Sequence, residues 1–158
     1  MMRIGQGYDS HRFKDGDHVV IGGVIIPFDK GVQAHSDGDV LLHAIGDALL
    51  GALSLGDLGS HFPDTDPNFK AVSSVDLIAS IMEMVAAKGY RVVNIDSTVI
   101  AEAPKLSKHI SAMQECIASL LSVNTDAVGV KATTNEKMGW LGRGEGLAAM
   151  AVVLLESQ

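Results

Sequence analysis

The chain has 158 residues, of which 47% are apolar and 20% charged, and its formal net charge is -7. This composition is typical of a globular protein and excludes a disordered chain. The negative charge and the lack of a Lys/Arg run argue against a nucleic acid partner, because binding to a phosphate backbone needs clustered cations. No apolar run reaches the ~20 residues that span a bilayer, and the N-terminus resembles no targeting peptide. We therefore expect a cytoplasmic protein without membrane contact.

Strands and helices are predicted to alternate along a single domain, residues 1–158. Four main strands are predicted from β-rich runs: 2–13, 91–101, 128–133 and 147–155. Gly22-Gly23 separates two further β-rich runs, which indicates a small hairpin over residues 18–27. Three helices are predicted from apolar residues at helical spacing: 39–55, 73–88 and 106–121. We expect an α+β fold with a mixed sheet of about four strands, a small β-hairpin and three helices packed on one face.

Two short segments place an Asp and two His at a spacing that suits a divalent metal. Asp9 and His11 lie two residues apart on the first predicted strand, so both side chains leave the same face. His43 lies inside the first predicted helix and would approach from the side. Two imidazoles and one carboxylate fill three corners of a tetrahedron and leave the fourth open, as in catalytic zinc sites. These segments therefore predict a catalytic metal centre.

The first predicted helix is apolar nearly all round, except for a stripe formed by Asp39, His43 and Asp47. A lone His on a helix is more often a core or surface residue than a ligand. Metal-bound His, however, commonly donates its second ring N–H to a carboxylate, so we interpret both aspartates as partners of His43. Asp39 also fits a capping box that begins at Ser36. Because so apolar a helix is buried on most sides, we expect an oligomer to supply the missing cover.

A second candidate site lies in the Gly-rich segment 131–146. Paired hydroxyls at Thr133 and Thr134 and closely spaced glycines let backbone N–H groups approach an anion. Arg143 is suited to phosphate oxygens, and Glu136 to Mg²⁺ held against a diphosphate. The spacing matches neither a Walker loop nor a dinucleotide fingerprint, and an ordinary turn between two strands explains it equally well. Residues 101–106 end a strand before a helix, where ligands often bind at the edge of a sheet.

Four longer motifs can be compared with known families. They are Arg3-Ile-Gly-x-Gly7-x-Asp9-x-His11, Ala34-His-Ser-Asp-Gly-Asp39-x-x-x-His43, Gly56-Asp-Leu-Gly-x-His-Phe-Pro-Asp-Thr-Asp66, and Lys131-Ala-Thr-Thr-x-Glu-Lys137 followed by Gly142-Arg-Gly-Glu-Gly146. Through them the chain resembles the 2-C-methyl-D-erythritol 2,4-cyclodiphosphate synthase family over essentially its whole length. The two central motifs are long and specific. Gln6 and Trp140 depart from the family pattern, and neither departure affects the chemistry.

The resemblance implies a role for each motif. Zinc would be bound by Asp9, His11 and His43, and Mg²⁺ or Mn²⁺ by Glu136. The methylerythritol phosphate end of the substrate would contact His35, Ser36, Asp57, Gly59, Phe62, Pro63, Asp64, Thr65 and Asp66, with Arg143 as a further substrate-binding residue. The cytidine and diphosphate pocket would contain Ala101, Pro104, Lys105, Leu106, Ser107, Ala132, Thr133 and Thr134. His35 and Thr134 would donate hydrogen bonds to the transferring phosphoryl group.

The implied activity is that of a metal-dependent phosphorus-oxygen lyase in non-mevalonate isoprenoid biosynthesis. Its substrate, 4-diphosphocytidyl-2-C-methyl-D-erythritol 2-phosphate, would be cyclised with release of CMP. The family also implies a homotrimer with active sites between subunits, and an axial channel where Arg143 and Glu145 would meet an isoprenoid diphosphate. Two other interpretations remain open from the residues alone. One is a zinc hydrolase with Asp39 or Asp64 as general base, and the other is a non-catalytic metal- or isoprenoid-binding oligomer.

Overall fold

A five-stranded mixed sheet forms the centre of the fold, in a computed structural model that describes residues 1–69 and 72–158. The strands within these residues are β1 (Met2–Asp15), β2 (His18–Ile21), β3 (Val24–Pro27), β4 (Lys30–Gln33), β5 (Tyr90–Ile100), β6 (Val128–Thr133) and β7 (Gly146–Ser157). The main sheet has the order β4-β1-β7-β5-β6, and β2 and β3 form a separate hairpin. Its pairs are antiparallel except for β5 and β6, which are parallel.

Three long helices and two single-turn helices complete the described structure. They are α1 (Val40–Ala52), α2 (Leu58–His61), α3 (Ser74–Ala87), α4 (Ile110–Leu121) and α5 (Gly139–Gly142), with 3-10 turns at Pro67–Phe69 and Thr125–Ala127. The predicted α+β class, the hairpin and the three main helices are confirmed. Within the described ranges, no helix has both the length and the apolar character that crossing a membrane requires.

The sheet has one strand more than the four predicted, and the helices are shorter than predicted. The extra strand, β4, pairs with the last residues of β1 in the register Arg12↔Gln33 to Asp15↔Lys30. Its four residues include a glycine and are too few to show an alternating pattern.

The predicted capping box is wrong, because Asp39 itself is the N-cap of α1, where its side chain accepts a hydrogen bond from the Leu42 N–H.

Helix α1 lies directly on β1 because two glycines leave no side chains between them. A Cβ atom added to Gly5 would lie 1.9 Å from the Ala48 carbonyl oxygen, and one added to Gly7 would lie 1.9 Å from that of Ala44. Asp9 and His11 follow on the same face of β1, because alternate residues of a strand face the same side. The close approach therefore brings both side chains to the part of α1 that carries His43.

The chain itself covers α1. Ten of the 13 residues of α1 are buried, and the helix packs against β1, β7 and α3. This helix therefore needs no oligomer to cover it, contrary to the expectation from its apolar sequence. An uncovered apolar surface lies instead on the opposite face of the sheet, where exposed side chains project from the neighbouring strands β1 and β7: Ile4, Tyr8, Met150 and Val152.

The glycine contact predicts a large effect of one added methyl group. Gly5→Ala should lower the free energy of unfolding by about 3 kcal/mol, the upper end of the usual cost of overpacking, because the new Cβ overlaps backbone atoms that no rotamer change can move. Gly51→Ala is the matched control on α1, since its nearest heavy atom outside the helix would be 3.8 Å away. That variant should gain about 0.5–1 kcal/mol from helix propensity. Urea denaturation at one fixed protein concentration measures both, and equal midpoints would contradict the packing.

Candidate active site

Asp9, His11 and His43 bring three donor atoms together where β1 meets α1. The Asp9 Oδ2 atom lies 2.8 Å from His11 Nε2 and 3.0 Å from His43 Nδ1, and the two ring nitrogens are 3.2 Å apart. A tetrahedral zinc site with bonds of about 2.0 Å places its ligand atoms about 3.3 Å from one another. The donor set and its spacing therefore fit a divalent ion that contacts all three residues.

The charges of the three groups support one another. Partial burial alone would raise the pKa of Asp9, but the hydrogen bonds and charges of His11 and His43 together outweigh it and lower the pKa to about 2. Burial alone would lower the pKa of His43, but the hydrogen bond to Asp9 and the negative charges of Asp9, Asp39 and Asp37 together outweigh burial and raise the pKa. A carboxylate that stays ionised beside two imidazoles is a suitable environment for a cation.

A cavity of about 770 Å³ opens above these residues. Most of the residues predicted to hold metal or the methylerythritol phosphate end line it: Asp9, His11, His35, Ser36, His43, Asp57, Gly59, Phe62, Asp64 and Thr65. Pro63 and Asp66 belong to the same loop, where the Asp66 N–H donates to the Pro63 carbonyl, but they are not among its lining residues. Arg143 lies outside this lining, after α5, where its Nε donates to Glu145 at 2.7 Å.

Neither aspartate of the α1 stripe is hydrogen-bonded to His43, so the predicted partners of its ring are wrong. The Asp39 carboxylate accepts from the N–H groups of Gly22 at 2.8 Å, Gly23 at 2.7 Å and Leu42 at 3.0 Å. Burial raises the pKa of Asp39 to about 6, against the effect of these bonds. Asp39 thus ties α1 to the β2–β3 hairpin. Asp47, whose pKa is raised by burial, lines the cavity and accepts from the Leu58 N–H at 2.8 Å.

Two hydroxyl groups contact the second ring nitrogen of His43 instead. Its Nε2 atom lies 3.0 Å from Ser74 Oγ and 3.3 Å from Ser36 Oγ. Ser74 is fully buried, and its hydroxyl donates to the carboxylate of Asp37. No pattern in the sequence indicates Ser74 and Asp37 as partners of His43. Ser74 lies 31 residues from His43 along the chain, and a serine at the start of a helix has an ordinary explanation as a cap.

The predicted nucleotide-side residues lie in two neighbouring segments at the ends of β5 and β6. Ile100 pairs with Thr133, and the Ala101 N–H donates to the Thr133 carbonyl at 3.0 Å. These segments carry Ala101, Pro104, Lys105, Leu106 and Ser107 on one side and Ala132, Thr133, Thr134 and Glu136 on the other.

Glu102 holds the second of these segments in place. Its carboxylate accepts from the N–H groups of Asn135 and Lys137, both at 2.9 Å. The backbone at Glu136 and Lys137 is left-handed, with φ angles of 51° and 60°. Two of the N–H groups that we expected to face an anion are therefore bound within the chain. The sequence analysis missed Glu102, because its bonds depend on how the two strand ends pair.

The two groups of residues are separated across the sheet of one chain. Asp9 pairs with Ala149, Ala149 with Val99, and Val99 with Ala132, so Asp9 and Ala132 lie at the same level three strands apart. Three spacings of about 4.8 Å put the strands about 14 Å from each other. Among the described residues, none from segment 101–107 or 132–136 lines the cavity above the metal ligands.

Comparison with known proteins decides the family. A model of the YgbB family matches residues 2–156. The chain belongs to the YgbB family. It is 58% identical over 155 residues to the 2-C-methyl-D-erythritol 2,4-cyclodiphosphate synthase of Methylococcus capsulatus, with 98% of each chain covered. The family expected from the four motifs is therefore confirmed.

Solved structures of the family superimpose on this fold. The bifunctional IspDF from Campylobacter jejuni matches with a TM-score of 0.96 and 42% identity over 100% of this chain, which spans 43% of that longer protein. IspF from Plasmodium falciparum, solved as a CDP complex, matches with a TM-score of 0.87 and 34% identity over 99% of this chain and 97% of its own.

The convergence of three donor atoms predicts which histidine substitution removes a bound metal. The parent protein should retain stoichiometric zinc after dialysis, and His43→Ala, which deletes one donor, should lose it. His18→Ala is the control, because His18 also pairs with an aspartate, Asp17, at 2.6 Å. That pair is exposed, and among the described residues no third donor joins it to form a group that could hold a metal. Elemental analysis gives the zinc content, and a fully loaded His43→Ala protein would contradict the assignment.

Proposed function

We propose that the chain is a metal-dependent phosphorus-oxygen lyase of the non-mevalonate pathway. It converts 4-diphosphocytidyl-2-C-methyl-D-erythritol 2-phosphate to 2-C-methyl-D-erythritol 2,4-cyclodiphosphate and CMP. The observation that carries this proposal is the convergence of Asp9, His11 and His43 in a cavity wide enough for a sugar phosphate. The name of the M. capsulatus relative supports the same reaction, and the CDP complex of the P. falciparum protein supports a cytidine ligand.

The substrate carries its own nucleophile, so the reaction needs no activated Ser or Cys from the protein. An oxygen of the 2-phosphate forms a bond to the β-phosphorus, and the bond from that phosphorus to the CMP oxygen breaks with its electron pair on CMP. Both phosphates are anionic, so the protein must hold them together and offset their charge. When bound, zinc on Asp9, His11 and His43 and Mg²⁺ or Mn²⁺ on Glu136 supply Lewis-acid charge neutralisation to the phosphates.

The remaining side chains orient the two ends of the substrate. His35 and Ser36 line the cavity beside the metal ligands, and His35 donates to the transferring phosphoryl group. Asp57, Asp64 and the neighbouring loop residues accept hydrogen bonds from the methylerythritol hydroxyls. Thr134 donates to the same phosphoryl group from the nucleotide side, and the exposed Lys105 binds the cytidine diphosphate together with the backbone of residues 101–107.

The assembly that fits this division of residues is a homotrimer with active sites shared between neighbouring chains. Within one chain the metal ligands and the nucleotide segments lie on strands about 14 Å apart, whereas the substrate must reach both at once. A neighbouring chain packed on the exposed apolar face of β1 and β7 would cover Ile4, Tyr8, Met150 and Val152. Arg143 and Glu145 would then meet an isoprenoid diphosphate in the axial channel.

Product analysis tests the proposed reaction. The parent protein should release CMP and the cyclic diphosphate in equal amounts, as measured by mass spectrometry.

Glu136→Gln keeps the size of the side chain and removes its charge, so turnover with Mg²⁺ should fall at least about 100-fold while zinc is retained. A linear, water-derived product would instead indicate the hydrolase. Asp64 is then its candidate base, because Asp39 is fully buried and bound by three N–H groups.

Mixing two inactive variants tests the shared site. His43→Ala disables the metal side and Lys105→Ala the nucleotide side, so each homotrimer should be inactive. Trimers refolded from a mixture contain some sites that combine an intact Asp9–His11–His43 group with an intact Lys105 from the next chain. Part of the parent activity should therefore return. Native mass spectrometry verifies that mixed trimers have formed. If these mixed trimers recover no activity, each site lies within one chain and the shared site is refuted.

A further inference from the structure

We infer that Ser74 and Asp37 are positioning residues that hold the His43 ring in the orientation required for metal binding. The inference rests on the proposed function of the same site and adds two residues to it. Ser74 comes from the first turn of α3 and Asp37 from the loop before α1, so three separate segments meet at one imidazole. We call these three residues the His43–Ser74–Asp37 chain.

The direction of the hydrogen bonds follows from the chemistry of the three groups. An ionised carboxylate only accepts, so the Ser74 hydroxyl must donate its proton to Asp37. The Oγ atom then offers a lone pair to His43 Nε2, 3.0 Å away. The Nε2 atom therefore carries the ring proton when Nδ1 faces a metal. Nδ1, the nitrogen that must give up its proton to bind a metal, is the one that lies beside Asp9 and His11.

The His43–Ser74–Asp37 chain is rigid because Ser74 and Asp37 make further hydrogen bonds. Ser74 is 0% exposed, and its own N–H donates to the other oxygen of Asp37 at 2.9 Å. Asp37 also accepts from the Asp39 N–H at 3.2 Å, which joins it to the start of α1. A histidine ring held through its second nitrogen loses less freedom when it binds a metal, and it becomes a more basic ligand.

Ser36 is the other group that contacts His43 Nε2, and it is less suited to this task. Its Oγ atom lies 3.3 Å from the ring nitrogen and accepts from the Gly38 N–H at 3.2 Å. No carboxylate is hydrogen-bonded to it in the described structure, and it lines the cavity. The buried Ser74 hydroxyl, backed by a carboxylate, is therefore the stronger partner.

A purely structural role is the competing explanation, because the Ser74 and Asp37 bonds also fix the start of α3. A neighbouring serine separates the two roles. Ser73 is the N-cap of α3, and its Oγ atom accepts from the Asp76 N–H at 3.2 Å. Ser73→Ala therefore removes a hydroxyl from the same helix end without touching His43, and Ser74→Ala removes the hydroxyl that contacts the ring.

Metal affinity of the stripped protein, measured by competition with a chelator for Zn²⁺ and Co²⁺, is the primary readout. Ser74→Ala should weaken binding about 10- to 100-fold, and Ser73→Ala should stay within about twofold of the parent. Asp37→Asn keeps an acceptor for the hydroxyl but not its charge, so its loss should be smaller, about tenfold. This variant also tests the chain if Ser74→Ala folds poorly by circular dichroism.

The ring proton gives a second readout that a helix cap would not change. In zinc-loaded parent protein and Ser73→Ala, the Nε2 proton of His43 should give an NMR signal protected from solvent exchange, and Ser74→Ala should lose that protection. Equal metal affinities in the two serine variants, or a protected proton in Ser74→Ala, would overturn the inference. Affinity is measured without turnover, so a parent protein that binds zinc but forms no cyclic product would refute the proposed function alone.

Discussion

Direct contact between the backbones of β1 and α1 is the constraint on which the candidate site depends. Gly5 and Gly7 remove the side chains that would otherwise separate strand and helix. The next inward residues of β1 are Asp9 and His11, and they meet His43 on α1. His43 directly precedes Ala44, whose carbonyl lies against Gly7. A wider spacing would leave the three donor atoms too far apart to share an ion. The fold of the first 50 residues and the metal chemistry therefore have one physical origin.

Charge explains why an acidic chain of this kind needs cations to act on phosphates. Several carboxylates line the cavity: Asp9, Asp47, Asp57 and Asp64. These groups, on a chain with a net charge of -7, would repel a substrate that carries three phosphates. In the proposed function, metal ions on Asp9, His11 and His43 and on Glu136 would reverse the local sign where the phosphates would lie. The carboxylates that remain would then face the hydroxyl groups of the sugar.

Local patterns in the sequence were enough to predict that Asp9, His11 and His43 form one donor group, because Asp9 and His11 follow strand periodicity and His43 follows helix periodicity. The same patterns misassigned Asp39 and Asp47 as partners of the His43 ring, since spacing along a helix does not show which direction a carboxylate faces. The backbone N–H groups that donate hydrogen bonds to the Asp39 carboxylate belong to the β2–β3 hairpin, a different part of the chain. Ser74 and Glu102 could not be predicted, because their bonds form only after distant segments pack. Strand β4 was missed because four residues carry too little periodic signal.

The location of a bound zinc ion is the measurement that tests this account most directly. Crystals of the zinc-loaded protein, measured on both sides of the zinc absorption edge, should give one strong anomalous peak per chain. The account predicts that this peak lies about 2.0–2.2 Å from Asp9 Oδ2, His11 Nε2 and His43 Nδ1, with a fourth position open to the cavity. A peak elsewhere, or an ion that binds without His43, would contradict the claim that the contact of β1 with α1 builds the metal centre.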